Sequence, residues 1–375
     1  MPLSAMQPNP FLPHQLIGRQ TVLDQVSQIF AQDEDLLVTG VPGMGRRTLI
    51  RAAARQCGAR VIEIDCLRAT HYQRFLELLA EGIIQTFSSA AELSFIQTWS
   101  QAYPLILETS QTGPAKLVWE FAKEQEWQLF QALISLPQTL AEWLDCRVVL
   151  MVQNFPHLRS WDRQGKWEHY LQQEIQQQTR VSYVIIATVV EQWKASIPLQ
   201  EIFLPPLPGA ELATWLVEAM AIAGLTLEPS AISLFLSYVQ GHFGTAIALA
   251  RRLWLDDLAG RDSKTTPPSL QPLSLVRSHQ VYRSASTLVE DLSLTFESLI
   301  LLLPNTQVRV LESLALDPTE SPHAKDYIKK HHLSRGGTLQ GALASLEQKG
   351  LIYGAEQNYR LALPLLGFWL KHRLS

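Results

Sequence analysis

The 375-residue sequence predicts an α/β fold, a parallel sheet with helices on both faces, followed by a helical region and a C-terminal winged helix-turn-helix. Three observations carry this. Strand-like and helix-like segments alternate through the first half, the pattern of a parallel sheet built from crossover units. A glycine loop, GVPGMGRRT (residues 40–48), lies between a strand signal and a helix signal. The last seventy or so residues read as three helices and two short strands around a polar turn, the succession of a winged helix.

The elements follow in order. DLLVTG (35–40) is an apolar strand running into the glycine loop, TLIRAAARQCG is a helix closing at Gly58, and RVIEID (60–65) is a second strand. From about 70 to 144 the sequence predicts a long helical stretch rich in aromatics. RVVLMVQN is the third strand, VSYVIIAT (181–188) the fourth, and EIFLPPL (201–207) a short fifth stopped by proline. WEHYLQQEIQQQT, between the third and fourth strands, is a glutamine-rich helix. From Gly209 to about Gly260 the signals are wholly helical, and GRDSKTTPPSLQPLS (260–274) reads as a linker. Expected domains are therefore an α/β domain over 1–208, a helical lid over 209–260, a linker and connecting helix over 261–302, and a winged helix over 303–375.

Composition bounds the function. Nearly half of the residues are apolar (47%), enough to bury substantial cores, and the formal net charge of -4 gives no global electrostatic reason to bind nucleic acid. Cys57, Cys66 and Cys146 lack C-x-x-C spacing, so neither a disulfide framework nor a zinc site is indicated and a reducing, cytoplasmic setting fits. The apolar runs YVIIATVV and SLILLL fall short of the roughly 18 to 20 residues needed to cross a bilayer, and the proline-bearing start lacks the apolar core of a secretory signal.

The chemistry centres on the glycine loop. A phosphate-binding loop reads G-x-x-x-x-G-K-[ST], and aligning Gly40 and Gly45 with its glycines puts Arg46 in the lysine slot and Arg47 in the metal-binding hydroxyl slot. Thr48 falls one position late, about 100 degrees round the helix. The partner strand normally ends in carboxylates that position magnesium and activate water, and here Gln153 and Asn154 stand there. An amide neither neutralises a cation nor takes a proton. Asp65 is the other acid at a strand end, where a capping role outweighs metal binding. Thr188, ending the fourth strand, is either a phosphate-sensing hydroxyl or a satisfied strand end. Arg46 is either a phosphate contact or a solvated arginine at a helix start.

LIGRQTVLDQV (16–26) resembles the hydrophobic-Gly-Arg box that precedes the loop in AAA+-related STAND and archaeal-type ATPases. The loop, the strands at Val148 and Tyr183, the entry EIFLPPLPGAELATWLVEA to a lid, GHFGTAIALARRL as its last helix, and the ending YRLALPLLGFWLKHR follow in that family's order. The resemblance implies a P-loop NTPase core, a helical lid and a winged helix. It implies that Gly18 and Arg19 lie near a nucleotide, that Gly40, Gly43 and Gly45 wrap its phosphates, and that Arg46 replaces the loop lysine beside Arg47 and Thr48. ATP or ADP is the implied ligand, while the lost hydroxyl and carboxylates leave magnesium unsupported. Where the family's lid has Gly-Gly-x-Pro, this chain has Gly241, His242, Phe243 and Gly244.

From Leu303 to Ser375 there are nine Lys and Arg against six Asp and Glu, and the expected recognition helix GTLQGALASLEQKG carries only Lys349, with Arg335 before it. That is thin for neutralising phosphates. Lys325, Lys329, Lys330, His331 and His332 fall on the preceding helix, where a solvated face is the plainer reading. Three functions remain in play: a degenerate regulatory module that holds nucleotide and acts through protein contacts, a working ATPase with an unusual site, and a DNA-binding regulator. An oligomer is compatible with each. No G-x-S-x-G or similar nucleophile motif points to another hydrolase.

Overall fold

The structure, a computed structural model, describes residues 11, 16–109, 113–119, 126–175, 177–189, 199–260 and 274–374. The expected linker at 260–274 and the proline-bearing start lie almost entirely outside them. The chain divides into two compact units, one made of residues 20–39 and 49–203, the other of residues 1–19, 40–48 and 204–375.

The first of these units carries a five-stranded parallel sheet. Its strands are β1 (Leu36–Thr39), β2 (Arg60–Asp65), β5 (Val148–Gln153), β6 (Val181–Ala187) and β7 (Gln200–Phe203), in the spatial order β2-β5-β6-β1-β7. Register is fixed by pairs such as Asp65 with Gln153, Val152 with Ile185, and Leu37 with both Ile185 and Glu201. VVLMV of β5 and all of β6 are buried, as the near-continuous apolar runs require when both faces of a parallel sheet are covered. Helices α1 (Gln20–Ala31), α2 (Arg46–Gln56), α3 (Tyr72–Thr86), α4 (Ala90–Ser100), α5 (Glu126–Leu144) and α6 (Lys166–Ile175) accompany it. Ile64, Phe75, Leu79, Phe130, Leu133 and Tyr183 belong to one continuous core.

The long helical stretch expected between 70 and 144 is interrupted. After α4 the chain makes a two-stranded antiparallel pair, β3 (Ile106–Glu108) with β4 (Lys116–Val118), so the KLV of KLVWEFAKEQEWQLFQALI is strand rather than helix. Pro104, Gly113 and Pro114 explain the break, because proline removes a helical donor and the chain must reverse. Leu107 and Leu117, opposite one another, turn inward while Ile106, Glu108 and Lys116 face solvent.

In the second unit, α7 (Gly209–Ile222), α8 (Pro229–Val239) and α9 (Phe243–Gly260) form the expected lid. One correction applies. Leu225–Leu227 is not helical but forms β8, which pairs in parallel with β9 (Ser274–Val276). LTL follows Gly224 at positive φ, a helix end that releases the chain into an extended segment. The connecting helix α10 (Ser278–Asp291) contributes Val281 and Ala285 to the lid's own core beside Leu216, Phe235 and Leu249. Helix α11 (Ser293–Leu301) then leads into α12 (Asn305–Leu316), α13 (Lys325–Lys330) and α14 (Gly337–Gln348), the antiparallel pair β10 (Ile352–Tyr353) with β11 (Arg360–Leu361), and α15 (Pro364–Leu374). Val310, Leu314, Leu343, Leu346 and Leu366 fill the core of this winged helix. Tyr238 of α8 meets Phe368 of α15 edge-on, with ring centroids 5.2 Å apart, so the winged helix packs on the lid.

Candidate phosphate-loop site

The loop joins β1 to α2, the placement a phosphate cradle needs. Gly40, Gly43 and Gly45 all have positive φ (140, 88 and 84 degrees), so the frame read from the sequence is a tightly turned loop in the folded chain. Arg46 and Arg47 open α2, and Thr48 follows within its first turn. Arg46 turns back on its own loop, donating from Nη1 to the carbonyl oxygen of Gly40 at 2.7 Å. Burial lowers its pKa to about 10, still a cation at neutral pH.

Gly18 and Arg19 lie in the same compact unit as the loop. Gly18 has a φ of 59 degrees, and a Cβ there would sit 2.8 Å from Cβ of Glu211 at the start of α7, so only glycine fits. Arg19 is buried and donates from Nη2 to the carbonyl oxygen of Pro205 at 2.6 Å. Burial lowers its pKa to about 10, against a raising influence from Tyr353 of β10. Burial in turn pushes the Tyr353 phenol up to about 12, offset by Arg360 and Arg19. The wing of the winged helix is thus within electrostatic reach of Arg19, while Arg360 lies 5.0 Å over the Tyr353 ring.

The lid reaches the loop through His242, which the sequence placed in the lid motif without a role. Its Nε2 is 2.9 Å from the carbonyl oxygen of Pro42 and, since a carbonyl only accepts, Nε2 carries the proton. Nδ1 therefore accepts, from the Thr245 N–H at 3.0 Å, with the Thr245 hydroxyl at 2.9 Å. The Gly244 N–H donates to the carbonyl oxygen of Gly43 at 3.0 Å. Two of the N–H groups that the first turn of α9 cannot satisfy internally are placed in this way, one on the loop and one on His242. A Cβ on Gly43 would lie 2.6 Å from Cε1 of His242, so the close approach needs glycine there. Burial lowers the His242 pKa, which keeps the ring neutral.

Within the sheet unit, the end of β5 carries the two amides that stand at the carboxylate positions. Gln153 ends β5 and donates from Nε2 to Glu63 at 3.3 Å, and Asn154 donates from Nδ2 to Asp65 at 2.8 Å. Glu63 is also ion-paired with Arg51. Asp65 accepts from the Leu67 N–H at 3.1 Å, the capping role favoured from the sequence. Asn154 has a φ of 52 degrees, a left-handed conformation that asparagine tolerates better than most residues. Among the described residues no group of three or more His, Cys, Asp or Glu could hold a metal ion. Thr188 follows directly after the last residue of β6. The same unit holds a cavity of about 670 Å³ lined by Arg74, Glu77, Glu81, Lys116 and Trp119 among others, which no sequence signal announced.

Glycine loop, parallel sheet, helical lid and wing together define a P-loop NTPase fold of the AAA class, joined to a C-terminal winged helix domain. Residues 15–186 match the family described as the AAA ATPase domain, and residues 294–372 match the one described as a probable winged helix domain. The Walker-type ATPase PABY2304 of Pyrococcus abyssi superposes with a TM-score of 0.66 at 14% identity, covering 98% of this chain and 99% of that one. The ADP form of the Aeropyrum pernix ORC2 protein gives 0.54 at 14%, over 98% of each chain, and the Aeropyrum pernix ORC1 protein in complex with DNA gives 0.52 at 14%, over 100% of each. These likenesses establish the shared fold. No curated protein sequence matches the chain. Among the described residues no helix is long and apolar enough to cross a membrane.

Proposed function

We propose that this chain is a regulatory member of the STAND type that holds ATP or ADP in its glycine loop without hydrolysing it efficiently, and that it acts through protein contacts. The observation that carries the reading is the pair of amides at the end of β5. Gln153 and Asn154 are spent on Glu63 and Asp65, and as amides they supply neither the charge that holds magnesium nor the base that activates water. Arg46 keeps a cation at the loop, and the three loop glycines keep the backbone close to where phosphate would lie, which supports binding. Gly18, Arg19, Gly40, Gly43, Gly45, Arg46, Arg47 and Thr48 are the residues assigned to the nucleotide. The proposed domains keep the boundaries read from the sequence, at 208, 260 and 302, and a reducing cytoplasm suits the three free cysteines.

Titration calorimetry with ATP and with ADP, each with and without magnesium, together with phosphate release, tests this. Binding that magnesium does not change, with no magnesium-dependent turnover, is expected. Turnover that Arg46→Ala abolishes would establish the alternative, a working ATPase.

A second alternative is a DNA-binding regulator, and the likeness to a protein solved on DNA gives it a reason to be weighed. The winged helix speaks against it. Lys330 is paired with Asp317, Lys349 donates to Gln307, Arg373 lies over Trp369, and α14 offers no Lys or Arg within its span.

A further inference from the structure

We infer that His242 is the positioning residue of the phosphate loop, a clasp that aims the loop's amides before any ligand arrives. In a trans peptide the C=O and the following N–H point to opposite sides, and the described residues contain no cis bond. His242 ties the Pro42 carbonyl to the lid, which turns the Gly43 N–H away from the lid. Gly244 ties the Gly43 carbonyl in the same way, which turns the Met44 N–H away. Both ties end on acceptors, and an anion has no use for acceptors, so the clasp and a bound phosphate do not compete. Glycine at 43 would otherwise leave this stretch free to rotate its peptides. The ring itself is held by Thr245 on its other nitrogen, so the chain Thr245, His242, Pro42 is a single connected unit. Arg46 on Gly40 closes the other end of the loop. The lid thereby sets loop geometry through a protein side chain, without needing a nucleotide to bridge them.

This rests on reading the loop as a phosphate cradle, and the test separates the two ideas. Two variants of the full chain divide the functions of the ring. His242→Asn keeps an acceptor for the Thr245 N–H and so keeps α9 capped, but cannot reach Pro42. His242→Gln keeps a donor near the position of Nε2. Hydrogen exchange at the Gly244 amide is read in the ligand-free chain, and affinities for ADP and for pyrophosphate are read by calorimetry. His242→Asn is expected to exchange Gly244 about tenfold faster and to weaken both ligands about tenfold, the scale of one net hydrogen bond. His242→Gln is expected to recover most of both. Unchanged exchange in His242→Asn overturns the clasp. Faster exchange with unchanged affinity overturns the positioning role. If the parent binds neither probe, the cradle reading falls and the positioning role falls with it, while the exchange data still decide whether the clasp exists.

Discussion

Arg46 donates to the carbonyl oxygen of Gly40, so the residue in the lysine slot of the loop bonds the loop's first residue 2.7 Å away. A guanidinium has several donors in a fixed fork, and one of them can hold the backbone while others face a phosphate. Lysine, with its compact ammonium, would serve one of these purposes at a time. Arg46→Lys is therefore expected to weaken ADP binding about threefold to tenfold, although it restores the usual loop residue. Calorimetry against the parent checks this, and tighter binding would show that Arg46 only closes the loop.

Asn154 and Asp65 supply a stability test. Replacing Asn154 by alanine removes the bond to Asp65 and puts a Cβ-bearing residue of poor left-handed tolerance at a φ of 52 degrees. A loss of about 1–3 kcal/mol is expected in urea unfolding followed by tryptophan fluorescence. Asn154→Asp keeps the local backbone preference but sets a second carboxylate beside Asp65. It should cost more at pH 7 than at pH 4, where carboxyls begin to protonate.

Restoring all four family residues, with Arg46→Lys, Arg47→Thr, Gln153→Asp and Asn154→Glu, tests the site as a whole. The new acids would stand next to Glu63 and Asp65, so the variant is expected to melt several degrees lower than the parent without magnesium. Magnesium with ATP should return most of that loss and improve nucleotide affinity more than any single change. Equal affinity in the parent and the fourfold variant would count against the site assignment.

Asp35 sets a pH dependence remote from the loop. It precedes β1, accepts from the Tyr183 N–H at 2.8 Å, and burial raises its pKa from 3.8 to about 6. The folded chain thus binds a proton more tightly than the unfolded chain does. Its contribution to stability is greatest below about pH 4, declines as pH rises through the window from 3.8 to about 6, and stays low above it. Asp35→Asn should remove this slope and stabilise the chain at pH 7.5 by up to about 3 kcal/mol, with little gain at pH 4. Denaturant titrations at the two pH values read the difference.

For nucleic acid, the full chain is expected to form no duplex DNA complex tighter than roughly 1 µM at about 0.15 M salt. Gel shifts across a salt series check it. A complex in the nanomolar range with a steep salt slope would move the winged helix to the DNA-binding reading.

Much of this was legible from the sequence because it rests on local signals. Strand, glycine loop and helix succeed one another within twenty residues, and the apolar runs of β5 and β6 announce a sheet covered on both faces. The pairing of β3 with β4 was hidden because the triplets ILE and KLV are too short to show alternation inside an aromatic-rich stretch. β8 and β9 were hidden for a stronger reason: their partner is nearly fifty residues away, and three residues of strand have no signature without it. His242 had no signal of its own. A histidine two hundred positions from Pro42 acquires its role only when the lid's first helical turn meets the loop.

The strand order β2-β5-β6-β1-β7 has a consequence for the birth of the protein on the ribosome. β1 is made early, yet both of its neighbours, β6 and β7, come from residues 181 to 203. At about 5–20 residues per second, roughly 8–33 s pass before the second neighbour, β7, has been synthesised. During that interval LLVT has neither hydrogen-bonding edge satisfied, although the neighbouring α1 and α2 are already free to form. The sheet closes late and through contacts distant in sequence, which slows folding and leaves an apolar strand open to pairing with another nascent chain. Of the strands in the sheet, residues 36–39 thus wait longest for a partner, since β2 can pair with β5 once residue 153 has emerged.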